Sequence, residues 1–225
     1  MMLKRSMLAL SVAAIVLLGC KKKEDTQSTP APAAEATAPA TTAEAPVAAP
    51  VAASPTAAAA HFDLKAFPIS DKPLGEWPYL QMPAGYHLDG NDSIAAGTKD
   101  LARVPVWTGQ SLLWVEGKTF ESDIRTDEGK TFSKFELYKG IENAITALGG
   151  QRVVDKPFDE KTAETNEAAM KSFLKEFGKI DDAYRYYNDA STFLIRRADK
   201  AIWVVTSVDE NGNAAVMVAE GPISG

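Results

Sequence analysis

The chain holds one thiol, and its position decides what that thiol can do. Cys20 follows Leu17-Leu18-Gly19, behind two cations at Lys4 and Arg5 and an uncharged run from Met7 to Leu18. Charge, apolar stretch and small residue come in the order of a secretory signal and its cleavage point. With no second cysteine, the chain has neither an internal disulfide nor the usual Cys/His set for zinc. The two histidines, His61 and His87, both read as loop residues, so a Ser-His-Asp triad would draw its base from a loop. There is no Gly-x-Ser-x-Gly elbow and no glycine-rich phosphate loop. Oxygen ligands remain. Asp209, Asn211, Asn213 and Glu220 match positions 1, 3, 5 and 12 of a calcium loop, but Ala214 stands at position 6, where the sharp turn needs glycine. A hairpin turn at Asn211-Gly212 explains the same residues with fewer assumptions. Asp89, Asn91 and Asp92 make a thinner oxygen set. Asp159-Glu160 and Asp181-Asp182 are adjacent carboxylates, useful for acid–base work on a glycosidic bond only where a cleft brings two such groups to opposite sides of it. No catalytic, metal or cofactor set emerges from residue types and spacing.

The Leu17-Leu18-Gly19-Cys20 segment resembles the lipobox of bacterial lipoproteins, with Leu18 where Ala or Ser is commoner. The resemblance implies that residues 1–19 are removed, that the Cys20 thiol takes a diacylglycerol, and that the new amine is acylated, typically with palmitate. The membrane would then be reached through lipid. The apolar run spans about twelve residues, against about twenty for a bilayer-crossing helix. Two acyl chains suffice for stable attachment without one. Lys21, Lys22 and Lys23 sit beside the anchor, where they meet lipid headgroups or solubilise the junction. Lys21 in place of the aspartate that signals inner-membrane retention in many enteric bacteria implies the outer membrane, facing the periplasm.

From residue 20 to residue 60 the chain is dominated by Ala, Pro, Thr, Val and Ser. Recurrent proline excludes a helix, and the apolar surface is too small to offset the entropy of ordering. The expectation is a disordered, partly polyproline II spacer. Forty residues reach roughly 120 Å when extended, and as a coil nearer 35 Å. Residues 61–225 suffice for a single domain. The whole chain carries 24 basic and 30 acidic residues, and losing Lys4 and Arg5 with the signal leaves 22 against 30, a net of -8. An acidic body argues against nucleic acid as a partner.

The elements of that domain follow from periodicity. Pro68, Pro73, Pro78 and Pro83 recur every fifth residue and predict an extended segment lying over the domain, with Trp77, Tyr79 and Leu80 packed down. Short strands are expected at Arg103–Trp107 and Ser111–Val115 and an alternating one at Thr119–Arg125, with Glu116-Gly117-Lys118 making either a hairpin turn or a bulge in one long strand. Ser133 and Glu136 form a capping box before a helix whose stripe is Leu137, Ile141, Ile145 and Leu148, ended by Gly149. A short strand should follow at Gln151–Asp155. A second helix is expected from Asp159 to Phe177, with Gly178 ending it in the same left-handed way. A meander then begins at Tyr184–Tyr187 and continues through Thr192–Arg197, Ala201–Val208 and Ala214–Glu220. The sum is an α+β domain, an antiparallel β-sheet with two α-helices. Trp114 and Trp203 read as core; Trp77 and Trp107, near prolines, are left open between core and the lining of a glycan groove.

Two segments, Leu74-Gly75-Glu76-Trp77-Pro78-Tyr79 with Pro83-Ala84-Gly85-Tyr86, and Phe193-Leu194-Ile195-Arg196-Arg197-Ala198-Asp199-Lys200-Ala201-Ile202-Trp203, resemble the N-terminal module found ahead of OmpA-like domains in some Gram-negative envelope lipoproteins. The likeness spans residues 63–220 and carries no catalytic residue. The OmpA-like domain has no counterpart here, so peptidoglycan binding is not implied by it. The expectation is a lipid-anchored envelope protein presenting a non-catalytic binding or scaffolding domain to another envelope protein or a cell-wall component. The meander's edge would offer a surface for strand addition. The alternative is a cell-wall glycan hydrolase using paired carboxylates.

Overall fold

The computed structural model describes residues 62–89, 94–156 and 158–223. The stretches expected to be signal and spacer, together with Cys20, His61, Asn91 and Asp92, lie outside the described residues. Seven strands form one sheet: β1 Tyr86–Leu88, β2 Thr98–Trp107, β3 Leu112–Thr126, β4 Gln151–Val154, β5 Ala190–Arg196, β6 Lys200–Val208 and β7 Ala214–Pro222. The order is β1-β3-β7-β6-β5-β4, with β2 also paired to β3, and every ladder is antiparallel. The helices are α1 Ile94–Gly97, α2 Lys134–Ala147, α3 Glu160–Thr165 and α4 Glu167–Glu176. The domain is α+β, with an antiparallel sheet.

β6 and β7 are apolar on both sides because both sides are covered. Ala201, Trp203 and Val205 face one core; Ile202, Val204 and Val208 face the other. Such near-continuous apolar runs mark strands buried on both faces. On one face α2 lays Leu137, Ile141 and Ile145 against Phe193, Ile195, Ile202, Val204 and Val218. Burial of each of these helix side chains contributes roughly 1.5–3 kcal/mol. On the other face α4 presents Met170 and Phe173, joined by Phe158, Phe177, Ile180 and Tyr184. The meander's strands are therefore interior: β4 covers β5, and β3 covers β7. Among the described residues, the edge expected in the meander is taken up by β4 along Thr192–Leu194 of β5 and by β3 along β7.

The proline-rich segment ties the faces together. Phe62 lies 5.4 Å from Trp203, ring to ring, and Leu64 is buried beside it. Ile69 then bridges Arg196 in parallel, and the Ser70 N–H donates to the Arg196 carbonyl at 2.8 Å. The Ser70 hydroxyl donates to the Leu148 carbonyl at 2.7 Å, at the end of α2. Past this point Leu80 is buried in the α2 core, with Trp77 and Tyr79 half-buried against it, as the prolines led us to expect. Tyr79 adopts φ 72°, uncommon for a side chain of its size, and its hydroxyl donates to Glu220 at 2.8 Å. Lys200 donates to both groups, at 2.8 Å to Glu220 and 3.2 Å to Tyr79.

Several local expectations change. β3 runs unbroken through Gly117, and the irregularity lies in β2, between Lys99 and Ala102. The strand expected at Arg103–Trp107 is ten residues long, Thr98–Trp107, and Pro105 sits within it. The Pro105 carbonyl accepts the Tyr184 hydroxyl, so this residue's polar groups point away from β3 and the missing N–H costs no ladder bond. Ser133 caps α2 by accepting the Glu136 N–H at 3.3 Å, but its own N–H goes to the Tyr86 hydroxyl at 3.0 Å, while Glu136 pairs with Lys130 at 2.5 Å. The capping box is thus half formed. The second helix divides at Asn166, whose side chain donates back to the Thr162 carbonyl at 2.8 Å. Gly149 has φ +80° and ends α2 as expected, whereas Gly178 is not among the left-handed glycines. Tyr184–Tyr187, expected to begin the meander, closes a 3-10 turn at Asp181–Tyr184 and continues as a bend and turn, and the first strand starts at Ala190.

Candidate functional site

The residues singled out by type and spacing do not converge. His87, on β1, pairs with Asp127 at 2.6 Å on the exposed surface. Asp209 is occupied by its own turn: Oδ1 accepts the N–H groups of Asn211 and Asn213 at 2.8 and 2.9 Å, and Oδ2 accepts the Asn213 amide at 2.7 Å. Desolvation opposes it, but these bonds hold the Asp209 carboxyl below the usual range. Gly212 takes φ +90° in this hairpin. Glu220 is six residues further along β7 than Ala214, about 20 Å away at the rise of a strand. It pairs with Lys200 there. The four oxygen candidates therefore cannot share one ion, and among the described residues no group of three metal-ligating side chains converges. Asp89 accepts from Arg125 at 3.0 Å.

The adjacent carboxylates are likewise locally engaged. Arg185 takes Asp181 at 2.6 Å and Asp182 at 3.1 Å. Asp159 caps α3 through the Thr162 N–H at 2.8 Å, and that bond holds its carboxyl below the usual range. Glu160 interacts with Tyr186 and pushes its phenol up. One carboxylate is desolvated. Glu121, on β3, is 9% exposed, and Oε2 accepts the backbone N–H groups of Lys179 and Ile180 at 3.1 and 3.3 Å. Burial pushes this carboxyl up, opposed by those two bonds. Burial also raises Asp123 nearby. The cavity beside Asp123, Asp182 and Lys179 measures about 30 Å³, room for a water or two and not for a sugar ring. Of the tryptophans, Trp203 and Trp107 are buried; Trp114, expected in the core, is half-buried under the Arg103 guanidinium at 5.1 Å.

The arrangement best suited to a ligand is a groove of about 390 Å³ beside the first two turns of α2. Its apolar and hydroxyl-bearing parts come from Ala190 and Ser191 of β5 and from Thr206 and Val208 of β6. Lys134, Phe135 and Tyr138 line it from α2, and Arg152 and Asp155 from β4 and its exit. The sheet that is Phe193, Ile195, Ile202 and Val204 under the helix becomes Ser191 and Thr206 here, so the same face changes from apolar to hydroxyl-bearing. The Tyr138 and Ser191 hydroxyls are 2.8 Å apart. Arg152 stacks over the Tyr138 ring at 5.1 Å. Its guanidinium pairs with Glu142 and reaches Asp155 at 3.4 Å, and its Nε is buried without a partner. Lys134 bridges Asp189 at 2.6 Å and Glu210 at 2.8 Å, and these two bonds raise its ammonium above the ordinary value. Phe135 stands at the mouth, 77% exposed.

Motif reading passed over this groove because it contains no motif. Two signals were nonetheless present: Phe135 falls outside the Leu137, Ile141, Ile145 stripe of its helix, and Ser191 and Thr206 interrupt otherwise apolar strands. Compared with known proteins, the chain matches no family model and no curated protein.

Proposed function

We propose that the chain is a lipid-anchored protein of the bacterial cell envelope, attached through Cys20 at the outer membrane and presenting a non-catalytic binding domain to the periplasm. The observation that carries this reading is the order of Lys4 and Arg5, the apolar run and Gly19-Cys20 in a chain with no other cysteine. The binding role draws on the groove beside α2, where each cation is tied to two carboxylates rather than left poised for proton transfer. Its partner is another envelope protein or a cell-wall component. Mass spectrometry of the N-terminal peptide tests the anchor: a diacylglyceryl cysteine at position 20 is expected, and Cys20→Ser should release the protein from envelopes. An intact leader with a free thiol would overturn the reading.

A cell-wall glycan hydrolase is the second reading, and the desolvated Glu121 is what favours it, since a raised carboxyl pKa suits a general acid. Its carboxylate oxygen is already committed to two backbone N–H groups. Incubating the purified chain with cell-wall glycan and following new reducing ends separates the two readings. Product formation that Glu121→Gln abolishes would establish the hydrolase.

A further inference from the structure

The groove beside α2 combines features that restrict what it can hold. Its volume, about 390 Å³, lies within the range of small-ligand sites. Every charge along it is paired: Lys134 with Asp189 and Glu210, Arg152 with Glu142 and Asp155. An anionic ligand would have to displace one of these carboxylates and face the others, since two cations stand against four carboxylates. A neutral ligand would not. The groove nevertheless offers many hydrogen-bonding atoms in fixed positions. Asp155, Asp189 and Glu210 each bond these cations through a single oxygen, and each is more than half exposed. Tyr138 adds a half-buried hydroxyl that can donate and accept, held 2.8 Å from the hydroxyl of the buried Ser191. Phe135 adds an aromatic ring open to solvent at the mouth, and Ala190 and Val208 add apolar surface.

Carboxylate and cation pairs, hydroxyls and one exposed ring suit a molecule that is uncharged, rich in hydroxyls that serve as donor and acceptor at once, and apolar on the faces of its rings. We propose that this groove binds a neutral saccharide of one or two pyranose rings, with one ring face against Phe135 and its hydroxyls bonded to Asp189, Glu210 and the Tyr138–Ser191 pair. The inference rests on the binding-domain reading above and names the chemical class that domain takes.

Titration of the full-length chain, in detergent, with N,N′-diacetylchitobiose and with cellobiose tests it. Amide NMR signals of Phe135, Tyr138 and Ser191 should shift saturably, with a Kd on the order of 1 mM for at least one of the two. Binding should hold nearly constant between low and high salt, because no net charge is exchanged. Phe135→Ala should weaken binding by about ten-fold, and Asp189→Asn by several-fold, with the thermal melting of both variants within about 2 °C of the parent. No saturable shift by about 50 mM of either sugar would overturn the proposal. Tighter binding of a trilysine peptide that fades with salt would also overturn it, showing instead a cation site. The lipid at Cys20 is read separately by mass, so a free thiol with intact sugar binding removes the anchor and leaves the groove, and the converse removes the groove alone.

Discussion

The two faces of the sheet are covered in different ways. The α4 face is sealed by aromatic rings: Trp107 and Phe158 lie 6.1 Å apart, Phe158 and Tyr184 6.2 Å, Phe173 and Tyr184 4.9 Å, and Phe173 and Phe177 5.0 Å. Its buried carboxylate, Glu121, is roofed by the chain leaving α4. The α2 face is sealed only as far as the stripe of Leu137, Ile141 and Ile145 extends, with the proline segment covering the rest of that end. Beyond the helix stripe the sheet turns polar and the groove opens. On the α4 side Glu121 is held by backbone N–H groups and the cleft along α4, about 480 Å³, is lined largely by Phe158, Met170, Leu174 and Tyr184; the α2 groove is lined instead by charged pairs and hydroxyls. The two faces therefore differ in the chemistry they present more than in the room they leave.

That contrast predicts a graded set of responses. Phe158→Ala on the sealed face should destabilise by about 3–5 kcal/mol, because it opens a cavity inside a continuous aromatic cluster; Ile141→Ala on the α2 face should cost about 2–5 kcal/mol. Urea denaturation of both variants checks this, and a near-neutral Phe158→Ala would show the aromatic seal to be loosely packed. Gly117→Ala acts on the sheet between the faces. Its Cβ would lie 2.0 Å from the Glu220 carbonyl oxygen, so β3 and β7 would have to part, at a cost of about 1–3 kcal/mol in the same assay.

Glu121 tests the sealed face through pH. Its folded pKa is raised, so the native state binds its proton more readily than the unfolded chain does. The burial penalty is absent below the unfolded value and grows as pH rises through the folded one, so this group lowers stability towards neutral pH. Glu121→Gln keeps an acceptor for the Lys179 and Ile180 N–H groups and removes the charge. Its melting temperature should therefore change less than the parent's between about pH 4.5 and about pH 7, the range above an ordinary glutamate's pKa. Identical profiles would show that the carboxylate is better hydrated than its burial implies. The smallest effect belongs to the open face. Phe135→Ala should alter stability by no more than about 0.5 kcal/mol, since the ring is exposed, and a larger loss would mean that the ring closes the groove structurally.

Much of the fold was readable because periodicity reports burial. Leu137, Ile141 and Ile145 marked α2, Gly149 its end, and Asn211-Gly212 the last hairpin. The failures share a cause. Trp114 reads as core from its size and does pack against the α4 core, yet it stays half-buried, with the Arg103 guanidinium from the neighbouring strand over its ring. Ser133 and Glu136 read as a reciprocal cap, but the Tyr86 hydroxyl, 47 residues away, takes the Ser133 N–H. The edge expected in the meander vanished because β3 and β4 flank it, a matter of strand order that local pattern does not carry. Of the candidate site, only the misfit of Phe135, Ser191 and Thr206 within their elements was visible.

By itself the sequence determined the element types, the α+β class and the single thiol behind a signal-like leader, since each depends on residues close together in the chain. Tertiary structure decided which strands lie inside, that Glu121 is desolvated, and that α2, β4, β5 and β6 meet in a groove beside Ser191 and Thr206. Those outcomes come from contacts between residues tens of positions apart. Their energies depend on which surfaces meet, and neighbours in sequence do not record that.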